Sequence, residues 1–322
     1  DTEDTQTPTA ATVASLFGDN FSDLTDEVTA GSSANTLAGV AISGYTADSS
    51  KGSWQYSSDG SNWTTIGTIA SVSSALTVQA SDQLRFVPAS NWSGAAPTLT
   101  VKLIDSSTSV STGAVVDASG GGTTAYSASA VILSHSVSAA NDAPVLDASQ
   151  TPALSSVLED AAAPSAVVGT LVSDLIGGVS DVDSGASQGI AVVATNSTNG
   201  TLYYSTDAGA NWSAVGSVSA GSALLLAADS NTRVYFKPTA NYNGTISDAL
   251  TFRAWDQSSG VAGTKVDVST NGAATAFSSV TDTVAITVTA LNDAPLATGS
   301  ATLSADTEDT QTPTAATVAS LF

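Results

Sequence analysis

The stretch Thr283–Ala290, TVAITVTA, alternates apolar and polar side chains and places Val284, Ile286, Val288 and Ala290 on one face. A two-residue period belongs to a strand with one buried face, because successive side chains of an extended chain point to opposite sides of a sheet. Taken outward to Ser279, the segment predicts a long closing strand of about 40 Å at ~3.3 Å per residue. ALTFRAW (Ala249–Trp255) and RVYFKP (Arg233–Pro238) read as further strands, the second ended by a proline that cannot donate to a ladder. SSDGSN (Ser57–Asn62) and TDAGAN (Thr206–Asn211) read as hairpin turns, since Gly and Asn tolerate positive φ. No segment keeps an apolar spacing of 3.6 over three turns.

The closing strand ends a unit that occurs twice. NDAPVL at Asn141–Leu146 returns as NDAPLA at Asn292–Ala297, about 150 residues later. LTVKLID (Leu99–Asp105) returns as LTFRAWD (Leu250–Asp256), and FVPASNWSG (Phe86–Gly94) as FKPTANYNG (Phe236–Gly244). YSSDGSNW (Tyr56–Trp63) returns as YSTDAGANW (Tyr204–Trp212) with one residue inserted. This collinear order divides the chain into copy A (1–145), copy B (146–296) and the start of a third copy (297–322). Asp1–Phe17, DTEDTQTPTAATVASLF, is identical to Asp306–Phe322, and copy B carries a divergent version within Leu158–Leu175. Strand physics does not dictate Gln and Thr letter by letter; duplication does. Many short strands per copy, punctuated by turns, predict an all-β fold of two tandem Ig-like Greek-key β-sandwiches plus a first-strand fragment, with a barrel as the alternative. In that fragment Val318, Leu321 and Phe322 require burial as Val13, Leu16 and Phe17 do. Residues 306–322 are therefore expected to be disordered or to exchange into a neighbouring chain.

Composition narrows the function. The chain of 322 residues is 42% hydrophobic, enough for packed cores, and only 11% charged. Its 29 acidic residues against 7 Lys and Arg give a net charge of −22, which disfavours nucleic acid and anionic membrane surfaces and leaves cations as the expected partners. No Cys is present, but domains of ~150 residues hold together through their cores, so this does not argue for the cytosol. No leader, transmembrane run or lipidation motif is visible, as expected of an internal piece of a longer protein. With one His, no Cys and no G-x-S-x-G elbow, the chain is expected not to be an enzyme. His135 aligns with Ile286 at the core-facing parity of the last strand and reads as a half-buried structural residue. Trp63 and Trp212 occupy equivalent places, which suits fold stabilisation better than a sugar platform.

The acids fall at element ends. In copy B they are Glu159-Asp160, Asp181-Val182-Asp183 in a Ser/Gly-rich loop, Asp229 before RVYF, Asp256 after RAW, and Asn292-Asp293. Carboxylates and an Asn carbonyl in a loop setting are the oxygen donors a hard Ca²⁺ ion requires. Two such carboxylates ~5 Å apart without a cation would repel by about 3 kcal/mol at an effective dielectric near 20. Copy A departs from the order: DNFSDLTDE (Asp19–Glu27) stands in place of the D-x-D pair, with Asp26 and Glu27 as substitutes. The long connections 106–123 and 257–274, holding Val116-Asp117 and Val266-Asp267, are expected to carry structural hairpins.

The order E, D-x-D, D, A-x-D, N-D-A-P is similar to that of cadherin repeats. YSTDAGANW, SALLLAADSNTRVYFKPTANYNGT, ALTFRAWDQSSG and NDAP together resemble the tandem extender repeats of RTX-type, type I-secreted bacterial surface adhesins. The resemblance is strong in copy B and looser in copy A, and the RTX nonapeptide itself is absent. It implies Ca²⁺ at the junctions, a non-catalytic spacer role and an extracellular, cell-surface location. Carried over, the A/B junction uses Asn141, Asp142, Asp181, Asp183, Asp256, Glu3 and Asp82. The B/C junction uses Glu159, Asp229, Asn292 and Asp293. An adhesive module gripping glycan or protein through a copy-specific loop is the alternative, and an ancillary domain of a secreted depolymerase a third.

Overall fold

The computed structural model of the chain describes residues 1–24 and 33–322; it is nearly all β, with 36% of residues in strands and 6% helical. In copy A one sheet has the order β1 (Ala10–Thr12), β6 (Gln83–Pro88), β3 (Gly52–Ser57), β4 (Thr64–Thr65). The facing sheet has the order β10 (Val131–Leu133), β8 (Leu99–Asp105), β2 (Leu37–Gly44), β5 (Ala75–Gln79), β9 (Val115–Val116). All these pairings are antiparallel. A short ladder of β7 (Gly94–Ala95) with β11 (Ser136–Val137) extends the end of the sandwich. Between the sheets lie Val40, Ile42, Trp54, Leu84, Phe86, Leu99 and Val101. The short helix α1 (Val13–Phe17), capped by Thr12 Oγ1 accepting the Ser15 N–H, adds the fully buried Val13 and Phe17.

Copy B repeats this plan. Its larger sheet runs β13 (Val157–Leu158), β23 (Asp282–Thr289), β21 (Gly244–Trp255), β16 (Gly189–Thr195), β19 (Ala223–Ala227), β22 (Lys265–Val266). The smaller runs β14 (Thr170–Leu171), β20 (Arg233–Pro238), β17 (Gly200–Ser205), β18 (Ser213–Ala214). Only β13 and β23 pair in parallel within these two sheets. β12 (Val145–Leu146) pairs with β15 (Val179–Ser180) where the chain enters the copy. Val284, Ile286 and Val288 of β23 point into the core as the alternation requires. The strand is shorter than Ser279–Ala290, however, and Ala290 is exposed just beyond it.

The long connections do more than form hairpins. Each supplies an edge strand, β9 on β5 and β22 on β19, then folds back over the outer face of the larger sheet. In copy B this layer buries Trp255 and Leu225 under Val268, Ala276 and Phe277. Asp117 and Asp267 accept the N–H groups of Ser119 and Ser269 and fix turns within it.

Local hydrogen bonding also fixes the aromatic hairpins. Asp59 accepts the Ser61 and Asn62 N–H groups at 2.8 and 2.7 Å and the Asn62 amide at 2.6 Å. Asp207 does the same with Asn211. These donors hold both carboxyls below the ordinary carboxylate range. His135 lies between Trp54 and Phe86, half-buried and 3.4 Å from Asp1, which fits its structural reading.

Residues 306–322 are not docked on either sandwich. They end in α2 (Val318–Leu321), with Val318 and Phe322 75% and 92% exposed.

Candidate metal site at the junction of the copies

The end of copy A is anchored by its own beginning. The Glu3 N–H donates to the Ser138 carbonyl at 3.0 Å, and Glu3 Oε1 accepts the Ala140 N–H at 2.8 Å. Asp4, at φ 58°, turns its carboxylate to accept the Asn91 N–H at 3.0 Å. A left-handed backbone is uncommon outside Gly, and short polar side chains such as Asp tolerate it best.

The linker then enters copy B through its own polar groups. Asn141 Nδ2 donates to Asp256 Oδ2 at 2.9 Å and to the Thr275 carbonyl at 3.2 Å. The Asp142 N–H donates to Asp183 Oδ2 at 2.9 Å, and the Ala143 N–H to the Ala273 carbonyl at 2.7 Å. Within the loop the Asp183 N–H donates to Asp181 Oδ1 at 2.9 Å, and Asp256 Oδ1 accepts the Ser258 N–H at 2.7 Å. Thus Asp142, Asp181, Asp183, Asp256 and Asn141 meet at one pole of copy B, with Glu3 and Asp4 of copy A beside them. Asp4 was not foreseen. It stands in an E-D pair, Glu3-Asp4, that recurs as Glu159-Asp160, but the left-handed turn that brings it to Asn91 has no sign in that pair.

Among the described residues no ion pair with Lys, Arg or His offsets this concentration of negative charge. The ion pairs among the described residues, Lys51–Asp48 and His135–Asp1, lie elsewhere. Burial raises the Asp142 carboxyl above its ordinary range, and repulsion from Asp4, Asp183, Glu3 and Asp181 adds to the effect. Burial also raises Asp181, with repulsion from Asp183 and Asp256 and against the backbone N–H groups it accepts. Among the described residues no trio of His, Cys, Asp or Glu side chains stands in ready ligand geometry, so an ion here requires side-chain rotation. The free acceptors for it exist: Asp142 Oδ2 and Asp181 Oδ2 are buried with no hydrogen-bond partner. A buried oxygen without a donor is costly and fits a cation as its missing partner.

Two expected ligands belong elsewhere. Asp82 precedes β6, whereas Asn91, which touches Asp4, follows it, so Asp82 lies at the pole opposite Glu3. Its buried carboxylate is taken by the Thr112 and Ser81 hydroxyls. Asp229 likewise precedes β20, at the end where Ala228 bonds to Gln188, away from Glu159. It caps a turn by accepting the Asn231 and Thr232 N–H groups at 2.9 and 2.6 Å. Sequence order gave both an element end but not which end.

At the far pole of copy B the anchoring geometry recurs. Glu159 Oε1 accepts the Leu291 N–H at 2.5 Å, Oε2 accepts the Asn243 amide at 2.8 Å, and Asp160, at φ 61°, accepts the Asn241 N–H at 2.8 Å. Asn292 and Asp293 are exposed there, with Asn292 Nδ2 on the Asp293 carbonyl as Asn141 Nδ2 is on that of Asp142. At the first pole of copy A, Asp23 accepts the Asn35 N–H and Asp105 the Ser107 N–H. Asp26 and Glu27 lie outside the described residues.

Four of the five tryptophans have a ring or Nε1 atom engaged. Trp54 and Trp255 are buried, with their Nε1 atoms on the carbonyls of Pro97 and Ser259. The Arg85 guanidinium lies 4.0 Å above Trp63, and Trp212 donates to the Ala166 carbonyl.

Comparison with known proteins finds no family model that matches the chain, no similar curated protein and no similar solved structure.

Proposed function

We propose that the chain is a non-catalytic, Ca²⁺-stabilised spacer: tandem repeats from the extension region of a large, type I-secreted bacterial surface adhesin, which hold a distal binding domain away from the cell. The reading rests on the motif resemblance together with one observation, the buried and unpartnered carboxylate oxygens of Asp142 and Asp181 at the seam between copies. A cation there would be held by Asp142, Asp181, Asp183 and Asp256, with Glu3, Asp4 and Asn141 fixing the backbone around it. It supplies charge neutralisation and cross-linking, not catalysis. Because its ligands come from the linker and from copy B, occupancy ties linker orientation to the fold of copy B, which is what a stiff array needs. Ca²⁺ suits the site better than Mg²⁺, which demands a tighter octahedron and gives up water reluctantly.

The test is calorimetric melting of the full chain in EGTA and in millimolar Ca²⁺, together with small-angle scattering. A rise in melting temperature and an elongated particle in Ca²⁺ are expected. Equal melting in both buffers refutes the ion, and a compact side-by-side pair refutes the spacer.

A further inference from the structure

The smaller sheets of the two copies turn unlike faces to solvent. In copy A the cross-strand partners Gln55 of β3 and Arg85 of β6 lie on that outer face. Arg85 donates from Nε and Nη2 to Gln55 Oε1 at 2.9 and 2.8 Å, and its guanidinium covers the ring of Trp63 at 4.0 Å. That ring has its cation from within the copy. In copy B the same rung is Tyr203 of β17 opposite Tyr235 of β20, and Trp212 stands where copy A has Trp63. Gln and Arg have given way to two phenols, and among the described residues no cation lies over these rings.

The three rings form an open corner outside the core. Leu202, Val234 and Phe236 alternate with the tyrosines and point inward, so Tyr203 and Tyr235 point out, and each is partly exposed, as is Trp212. Trp212 meets Tyr235 edge-on, with centroids 6.1 Å apart at 68°, and its Nε1 is anchored on the Ala166 carbonyl. A floor and a wall are thus fixed before any ligand arrives. One rung further, ~7 Å along the strands, Thr201 pairs with Lys237 beside an open hollow of about 470 Å³, lined also by Asp160, Ser197 and Thr239. The tyrosine rung does not belong to a seam between copies. In copy A, which has a copy following it, the equivalent Gln55 and Arg85 bond within copy A.

We propose that this face of copy B binds a short, neutral oligosaccharide, stacked on Tyr203, Tyr235 and Trp212 and hydrogen-bonded at the Thr201–Lys237 rung. The C–H face of a pyranose ring is slightly positive and packs on the negative face of an aromatic ring. The Tyr203 and Thr201 hydroxyls both give and accept hydrogen bonds, and the Lys237 ammonium gives them, which matches the paired hydroxyls of a sugar. The net charge of −22 repels polyanionic glycans, so the saccharide is one without carboxylates or sulfates. Copy A, whose ring is already covered by Arg85, takes none. The activity goes beyond the spacer role and is independent of the ion at the junction.

The experiment titrates the full chain, in Ca²⁺ and in EGTA, with cellotetraose, xylotetraose, maltotetraose, N-acetylchitotetraose and, as the acidic probe, tetragalacturonate. Calorimetry measures affinity and stoichiometry, and tryptophan emission reports on the corner. At least one neutral probe is expected to bind one per chain, to shift the emission, and to do so equally in both buffers. Tyr203→Gln/Tyr235→Arg gives copy B the pair that copy A carries. It is expected to melt as the wild type does and to weaken binding by about tenfold or more, the worth of two aromatic contacts. Where the double variant melts lower, Tyr203→Ala decides instead, and it is expected to weaken binding several-fold. A panel with no neutral binder, a folded variant that binds as well as wild type, binding confined to tetragalacturonate, or binding that vanishes in EGTA overturns the proposal.

Discussion

Copies A and B solve one strand differently. In copy B, β23 runs unbroken from Asp282 to Thr289 and lies beside the twelve residues of β21. In copy A the same path is interrupted twice. β10 and β11 are separated at Ser134-His135, and β7 and β8 at Ala96–Thr98, around Pro97, which has no N–H to give. The repair is specific: the Ala96 N–H donates to the His135 carbonyl at 3.0 Å, and Trp54, where copy B has Leu202, caps the freed Pro97 carbonyl at 2.6 Å. Duplicated strands therefore tolerate a break where a large side chain can reach the exposed backbone. Divergence between the copies settles in the sheet of copy A and in its loop acids, where the D-x-D pair of copy B is missing.

The largest expected contrast is between identical residues in unlike places. Phe17→Ala empties a fully buried site in copy A and is expected to cost about 3–5 kcal/mol of its stability. Phe322→Ala, at 92% exposure, is expected to change melting of the monomer little. Denaturant unfolding of both variants at low concentration checks this; equal losses would mean the tail already packs on a sandwich in solution.

Next comes the contrast between loop sets. Asp181→Ala/Asp183→Ala is expected to abolish the Ca²⁺-dependent stabilisation of copy B. In the wild type that stabilisation is expected to be about 2.7 kcal/mol at a hundredfold excess of ion over its dissociation constant. Copy A, which lacks the D-x-D pair, is expected to respond less when the two transitions are resolved by calorimetry. A larger response in copy A would place the dominant ion at its first pole.

Protons compete for the same oxygens. Asp142 and Asp181 have raised carboxyls in the folded chain, facing Glu3, Asp4, Asp183 and Asp256. A raised acid binds protons more tightly folded than unfolded, so its cost is absent below the ordinary carboxylate value and grows as pH rises through the folded value. In EGTA these two groups are expected to make the chain lose stability across that window. In Ca²⁺ the loss should disappear, because the ion replaces the protons. Urea midpoints at several pH values in both buffers measure this; parallel curves would mean the ion and the protons do not share a site.

The all-β class, the period and the convergence of Asp142, Asp181, Asp183 and Asp256 were legible because they depend on alternation and on order along the chain. The polarity of Asp82 and Asp229 was not, since a residue before a strand lies at whichever pole the strand starts from. Asp4 was hidden for another reason: its role comes from a left-handed backbone that turns it toward Asn91, and a bare E-D pair gives no sign of that. The covering layer over Trp255 was equally silent, because Val268, Ala276 and Phe277 are scattered in a loop without periodicity.

The smallest expected effect returns to the broken strand. His135 stands where copy B has Ile286, its Nε2 is buried without a hydrogen-bond partner, and burial lowers its pKa. A histidine whose folded pKa is depressed contributes stability that is intact above its ordinary value near 6.5 and is lost as pH falls below it. Asp1, 3.4 Å away, opposes that loss and keeps it small. His135→Ile introduces the side chain of copy B between Trp54 and Phe86. It is expected to stabilise copy A by up to about 1 kcal/mol at pH 5, less at pH 8, because it removes a polar group that charges only at a cost. Urea midpoints of both proteins at the two pH values decide it. If the variant is less stable at pH 5, the Asp1 pair outweighs burial, and the histidine is the fastening of the broken strand.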